Sequence, residues 1–554
     1  MLDEEISRVG VGKKLVSQAK VQENKLRLSR ETGTIVKDWG GRLPFALIYP
    51  NSYHIGMSNL GVQAIYSLLN GYPDVACERV FLEPKEKTAP LSVESQRPLP
   101  DFAVLAFSVS YELDYFNIVK ILKAGGIPLY AAERNESHPL IIAGGPCVTA
   151  NPMPLAPFFD CLCIGEAEPI LPAMLPVLKE SIAGKRSDLL EALAKLPGIY
   201  APQHYDGTPV ARQHAMKLDD FPVHSVVLTP DTELGNLYLI EVERGCSWGC
   251  RFCLVSTAFS PMRYRSIDSL IAQAKEGLKY RKRLGLVGPA VPDHPKFEEL
   301  LTRLQEIGAE LSISSLRIKP LPTIALQEMA KGGARTIALA PEAGSERLRK
   351  VIRKNISEDD ILKAMEMVAG QPGIDQLKLY FMIGLPTETD EDIEEIVRLV
   401  LKCKAILDRQ RTNCRITLSV APFVPKAGTP FQWLPMEQLA TLQKRFDMLK
   451  RALTPKGIQP KSESIAWSQV QGALARGDAR LAPVLADIEY ISLSSWRHAL
   501  KKHHLDDDSY LRRRFNVDEK LPWSALDSGI KSGHLKHELE RALSTQPQNI
   551  DNPA

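Results

Sequence analysis

The stretch Arg-Gly-Cys-Ser-Trp-Gly-Cys-Arg-Phe-Cys, Arg244–Cys253, follows an apolar run, Leu237–Val242, that reads as a β-strand. Three residues separate Cys246 from Cys250 and two separate Cys250 from Cys253, with no further Cys or His close behind. Four protein ligands close a structural metal site, whereas three leave a position open for chemistry. A zinc site normally draws on two paired half-sites, and Cys403 and Cys414 lie too far along the chain to supply one. An odd total of nine cysteines with no secretory signal argues against a disulfide framework. Two readings remain, an iron–sulfur centre on Cys246, Cys250 and Cys253, which the spacing favours, and buried cysteines that happen to lie close.

The surrounding chain, Leu237 to about Leu453, alternates short β-like runs with helical patterns. Strands are expected at Leu237–Val242, Leu284–Val287, Leu311–Leu316, Thr336–Ala340, Leu377–Ile383 and Arg415–Val420. Ser266 caps a helix with Ile267, Ile271, Ala274 and Leu278 on one face; Phe297 to Ile307 forms another, ended by Gly308. Ser357 with Asp360 reads as a capping box, and Asp390–Leu407 opens with acids as a helix N-terminus prefers. Six strand–helix units in succession imply parallel strands joined by right-handed crossovers, a partial (β/α)6 barrel. Functional groups of such folds sit where strands end, which is where the cysteine loop falls.

At 554 residues the chain holds several domains, and 44% apolar with 24% charged residues is a globular composition. A net charge of +3 makes no case for nucleic acid or anionic membrane as partner, and the basic Arg512–Arg514 is offset by Asp506–Asp508. No apolar run approaches the ~20 residues that span a bilayer, and Met-Leu-Asp-Glu-Glu reads as no signal sequence. A cytoplasmic location is expected, with thiols kept reduced.

The pattern CxxxCx(aromatic)C, with Phe252 before the last cysteine, resembles the cluster loop of the radical S-adenosylmethionine (SAM) enzymes. The resemblance implies a 4Fe–4S cluster on the three cysteines, with the open iron binding the amino and carboxylate groups of SAM. It further implies SAM-binding stations at Phe252, Gly288, Ser315, Arg317, Glu342, Gly344, Ser345 and Gly384, with Arg317 for the carboxylate and Glu342 for the ribose. Solvated loop charges or a mutual ion pair are the alternative for those two. One departure is plain: where many family members carry Gly-Gly-Glu after the second strand, this chain has Gly288-Pro289-Ala290, with no acid until Asp293.

Ahead of the barrel, Pro44–Tyr49, Phe102–Val109, Leu140–Ala143 and Cys161–Ile164 read as strands, with helices at Leu60–Leu69 and Leu113–Lys123. A doubly wound parallel sheet follows, without the GxGxxG fingerprint of dinucleotide folds. Its strand ends resemble the cobalamin-binding domain that precedes the barrel in a large radical SAM subfamily. The residues carrying that likeness are Asn51, Tyr53, Gly56, Ser108, Gly144, Gly145 and Gly165. Tyr53 stands where the cobalt-ligating histidine of the usual motif would be, and His54 is displaced by one position. Cys147, Cys161 and Cys163 read as core.

The expected division is an N-terminal helical segment at 1–42, a cobalamin-binding-like domain at 43–200, a linker at 201–232, the barrel at 233–454 and a mostly helical unit at 455–554. The function implied is reductive cleavage of SAM to start radical chemistry, with cobalamin-dependent C-methylation favoured and an electron donor such as flavodoxin or ferredoxin. A methylthiotransferase-like or tRNA-modifying enzyme is the alternative, prompted by Ala421–Phe431. A cluster- or corrin-binding sensor without turnover is another. No motif names a substrate.

Overall fold

The computed structural model describes residues 18–83, 88, 90–410 and 414–545. The helical segment expected over 1–42 is described only from Gln18, where a helix runs to Arg30. The front domain is a sheet in the spatial order Val75–Phe81, Leu43–Tyr49, Val104–Ser108, Leu140–Gly144, Cys161–Cys163, Ile199–Tyr200. All neighbours pair in parallel except the last two strands. Side chains of one strand alternate between two cores, Phe45 and Leu47 on one face, Ala46 and Ile48 on the other. Both faces are therefore covered, as a parallel sheet requires. The first and third strands are neighbours, and the chain leaves the first strand in opposite directions on its two sides. That is the topological switch point, where doubly wound sheets open a crevice for a ligand.

The strand Val75–Phe81 is absent from the sequence reading because Glu78 and Arg79 interrupt its apolar run. Both are buried, and Arg79 is matched by Glu31 at 2.7 Å and Glu94 at 2.6 Å. A buried charge is tolerated where such partners are in place.

Among the described residues, the second half holds seven parallel strands in two blocks. Tyr238–Glu241, Arg283–Val287 and Glu310–Ile313 form one; Thr336–Glu342, Gln376–Ile383, Arg415–Pro422 and Gln459–Ser462 form the other. The six expected strand–helix units are present. Gln459–Ser462 adds a seventh strand beyond residue 454, in the stretch assigned from sequence to the C-terminal unit. Its Gln-Pro-Lys-Ser composition carries no strand signal, and its place at the sheet edge tolerates Pro460. Ser357 and Asp360 make the anticipated capping box, and Thr389 with Asp392 makes another.

The remaining C-terminal residues are mostly helical and bridge both halves. Trp467 and Trp496 each meet Phe116 of the front domain edge-on at 6.0 Å. Asn151 donates to the carbonyls of Ala475 and Gly477 at 3.1 and 2.8 Å. The span read as a linker is held too: Val210–Ala211 pairs with Leu526–Asp527. Among the described residues no helix is long and apolar enough to cross a membrane.

Candidate functional site

The cysteine loop leaves the first barrel strand through Glu243–Arg244, which pairs with Arg263–Tyr264 as a two-residue antiparallel ribbon. Gly245 follows with φ +90°, and a Cβ there would lie 2.5 Å from the Phe259 carbonyl, so only glycine fits. The Cys253 amide donates to the Cys250 carbonyl at 3.0 Å, folding the last two cysteines into one turn. Burial pushes the Cys250 thiol up to about 11, against the pull of Lys354. Burial likewise raises Cys253, while backbone N–H groups of Val255 and Ser256 hold it down. Arg317 Nη2 lies 3.7 Å from Cys246 Sγ. Each thiol thus has a donor or cation at hand to stabilise a thiolate once a metal has displaced its proton. Among the described residues no three His, Cys, Asp or Glu side chains converge on a single-ion site. A multi-iron cluster takes its thiolates at separate irons and needs no such convergence.

The loop is also clamped from outside. Arg251 donates to the carbonyls of Lys350 and Val351 at 2.9 and 2.7 Å, and its Nε meets Glu538 of the C-terminal helix Ser532–Leu543 at 3.0 Å. Arg353 approaches the same carboxylate at 3.5 Å. Burial raises the Glu538 carboxyl, but the two guanidinium groups win and hold it below its ordinary value. This contribution is present above an unfolded carboxyl pKa of ~4.3 and is lost as pH falls through the lower folded value. Glu538→Ala strips a buried pair at a cost of about 3 kcal/mol. Amide exchange across the C-terminal helix is expected to quicken up to ~100-fold at neutral pH, measured by hydrogen–deuterium exchange.

The expected SAM stations divide into two groups. Arg317 stacks on Trp248, 3.7 Å from the ring centroid, and its Nε lies 3.0 Å from Asp293, which also accepts from the Trp248 indole. Glu342 ends its strand at φ +68°; burial raises its carboxyl, opposed by Lys354 at 3.4 Å. Both charges border the cysteines, each beside a counter-charge. Gly288 packs on Glu243, where a Cβ would sit 2.7 Å from Cγ, and its carbonyl accepts from Ser315 at 2.7 Å. Phe252, partly buried, packs against the apolar cluster that includes Phe423, Trp433 and Trp523. The other three are engaged in holding the fold. Gly344 lies against the backbone of Ile396, Ser345 caps its helix and donates to Asp392 at 2.5 Å, and the Gly384 amide donates to Glu388 at 2.6 Å.

Glu243 escaped the sequence reading. Its Oε1 accepts from the Ala290 amide at 2.5 Å, its Oε2 has no hydrogen-bond partner, and burial pushes its carboxyl up to about 7. It places an acid directly under the loop that lacks one in sequence. An acidic residue closing an apolar strand just before Arg-Gly-Cys was the available signal.

In the front domain a cavity of about 620 Å³ opens at the switch point. It runs along the sheet face past Leu47, Ala106 and Ile142, between the helices Leu60–Gly71 and Ala167–Ser181, and reaches Arg244, Ala258 and Phe259 beside the cysteine loop. Ala106 stays partly accessible in a central strand because this slot lies beside it. Protein interiors rarely leave such space unfilled. Of the residues expected to hold cobalamin, Ser108, Gly144, Gly145 and Gly165 line the slot. Asn51, Tyr53 and Gly56 do not: Asn51 donates to Asp114 at 2.8 Å, Tyr53 is buried with its hydroxyl on Glu31, and Gly56 packs on Phe81. Cys147 and Cys161 are buried as anticipated, whereas Cys163 faces the slot. At the inner end Glu166 binds Arg263 at 2.6 Å and Arg244 at 3.0 Å, and Arg244 also meets Glu168 at 2.8 Å. Arg244 stands two residues before Cys246, so the slot and the cysteine loop share one ion-pair network.

The barrel keeps one face open. Along Thr336–Glu342, Gln376–Ile383 and Arg415–Pro422 buried and accessible residues alternate. Ile337, Leu377, Leu379 and Leu418 pack in the main core with the covering helices, and Ala338, Lys378, Tyr380 and Ser419 line the other side. Branched side chains fill most such barrels; here small and polar ones stay accessible along this face.

Comparison with known proteins follows the same division. The family description "Radical SAM proteins, N-terminal" matches residues 61–202, and "Radical SAM superfamily" matches residues 240–400. The uncharacterized protein MJ0966 of Methanocaldococcus jannaschii is 34% identical over 86% of this chain and 97% of its own length. A tRNA-2-methylthio-N(6)-dimethylallyladenosine synthase of Sorangium cellulosum is 25% identical over 38% of this chain and 48% of its own length. Among solved structures, the cobalamin-dependent S-adenosylmethionine radical enzyme OxsB, with aqua-cobalamin and S-adenosylmethionine bound, aligns over 91% of this chain and 79% of that one, with a TM-score of 0.47 and 13% identity. Two family matches that together take in the front domain and the cysteine-bearing barrel, and a relative matched over nearly its whole length, make this chain a member of the radical SAM superfamily.

Proposed function

We propose that this radical SAM enzyme transfers a methyl group to a carbon of its substrate, with a corrin in the front slot and SAM over the cysteine loop. Membership implies a 4Fe–4S cluster and SAM as cofactors and a reductant as partner; flavodoxin or ferredoxin would suit the last. Cys246, Cys250 and Cys253 are assigned to the cluster, whose chemistry when bound is the one-electron cleavage of SAM. Arg317 and Glu342 are assigned to the SAM carboxylate and ribose, trading Asp293 and Lys354 for the ligand. Glu243 would take the ammonium, so that its orphan oxygen gains a partner. The apolar cluster against Phe252 and the Arg251–Glu538 clamp would fix the loop's shape and limit its exposure, which would strengthen each of these charge contacts.

The observation that carries the cobalamin reading is the slot itself. An apolar sheet face suits a flat macrocycle, and Ser108, Ser110, Asn59 and Thr149 offer polar groups for its amide arms. Among its lining residues there is no histidine, so the corrin would be held without a protein nitrogen below cobalt. Hydroxocobalamin added to the anaerobic protein is expected to stay with it through gel filtration, seen in the visible spectrum. A protein that retains none would turn the reading to the methylthiotransferase-like alternative, which the partial match to the Sorangium synthase supports and copurifying tRNA would strengthen.

A further inference from the structure

The open barrel face carries cations that no part of the proposed cofactor set uses. Lys378 is the third residue of Gln376–Ile383, a central strand with parallel neighbours on both sides. A charged residue is out of place there, because parallel strands are ordinarily apolar throughout. Register sets Lys378 beside Thr417, and Tyr380 beside Ser419 and then Lys461. The Lys378 ammonium sits 4.8 Å from the Tyr380 ring centroid. Among the described residues no carboxylate makes a salt bridge to Lys378 or Lys461. Asp375, the residue just before this strand, is paired with Arg335 at 3.0 Å. A lysine on the edge strand, as Lys461 is, also protects that edge from pairing. Lys378 has no edge to protect.

We infer that this open strand face binds a substrate with an anionic group, a carboxylate or a phosphate, seated on Lys378 with help from Lys461, Thr417 and Ser419. Toward the mouth the same face turns small and apolar, with Met382 and Ala421 in register. Lys378 lies four residues below Met382, roughly 13 Å at 3.3 Å per residue. The anionic end would thus lie deep and the neutral, reacting end near the cysteine loop. Lysine serves such a site as a mobile point charge.

The inference rests on this face being the substrate side of the proposed enzyme, and the test keeps the two apart. Full-length protein, reconstituted with iron and sulfide under anaerobic conditions, is titrated calorimetrically with inorganic pyrophosphate and, separately, with succinate. Binding of at least one is expected, weakening with added salt. Lys378→Met should lower its affinity at least tenfold, Lys378→Arg should restore most of it, and Lys461→Met should cost less. The arm that binds tells phosphate from carboxylate. Neither probe binding, or Lys378→Met and Lys378→Arg both binding like the wild type, overturns the inference. Should Lys378→Met not fold, Lys461→Met decides, and its wild-type affinity would count against the site. Iron and sulfide contents of the same samples report on the cluster independently: anion binding without a cluster sinks the enzyme reading and leaves this site standing.

Discussion

Cys250→Ala is expected to leave the protein folded and to abolish SAM cleavage, with release of 5′-deoxyadenosine falling at least about a hundredfold. Loss of residues that merely orient metal ligands already costs 10–100-fold, and Cys250 is assigned as a ligand. The fold should bear the change, because the loop is held by Arg251 on Lys350, Val351 and Glu538 and by the pairing of Glu243–Arg244 with Arg263–Tyr264, not by the thiols. Iron and sulfide after anaerobic reconstitution, with product formed on reduction by dithionite, check it. Cys161→Ala is the matched control: that thiol is wholly buried in the front sheet and raised well above its ordinary value by burial. It should lose neither cluster nor turnover. A Cys250→Ala protein that assembles an active cluster removes the assignment.

Ala106→Leu should separate ligand binding from stability. The leucine side chain enters the slot midway along the sheet face, between the helices that form its walls. Corrin affinity is expected to fall at least a hundredfold, because a macrocycle and its tail cannot share that space. Filling a cavity commonly adds ~0.5–2 kcal/mol to stability, so thermal unfolding should move upward or stay in place. Absorbance titration with hydroxocobalamin and a melting curve on the same sample read both. Unchanged corrin binding would mean that the slot is not the corrin site. Lower stability together with lost binding would mean that the substitution had disturbed the sheet.

The parts legible in sequence are those where local composition and tertiary role agree. The barrel strands announce themselves as apolar runs between capped helices, and Ser357 with Asp360 behaves as its spacing implies. The cysteine loop is legible because its three cysteines lie within eight residues of each other. Reading fails where distant partners decide. Val75–Phe81 is a strand despite Glu78 and Arg79 because Glu31 and Glu94, far along the chain, neutralise Arg79. Tyr53 carries a motif likeness, yet its hydroxyl turns to Glu31, twenty-two residues earlier. The supposed linker pairs with a strand more than three hundred residues on, a contact with no local signature. Lys378 looks like an ordinary surface charge until the register places it in the middle of a sheet.

One chain would carry both a cluster and a corrin. The direct measurement is the content of iron, acid-labile sulfide and corrin in a single anaerobically purified and reconstituted sample of the full-length protein. Iron and sulfide in equal amounts, filling a 4Fe–4S cluster, with corrin retained alongside, are predicted. Zinc in place of iron, or a filled cluster in a protein that takes up no corrin, would contradict it.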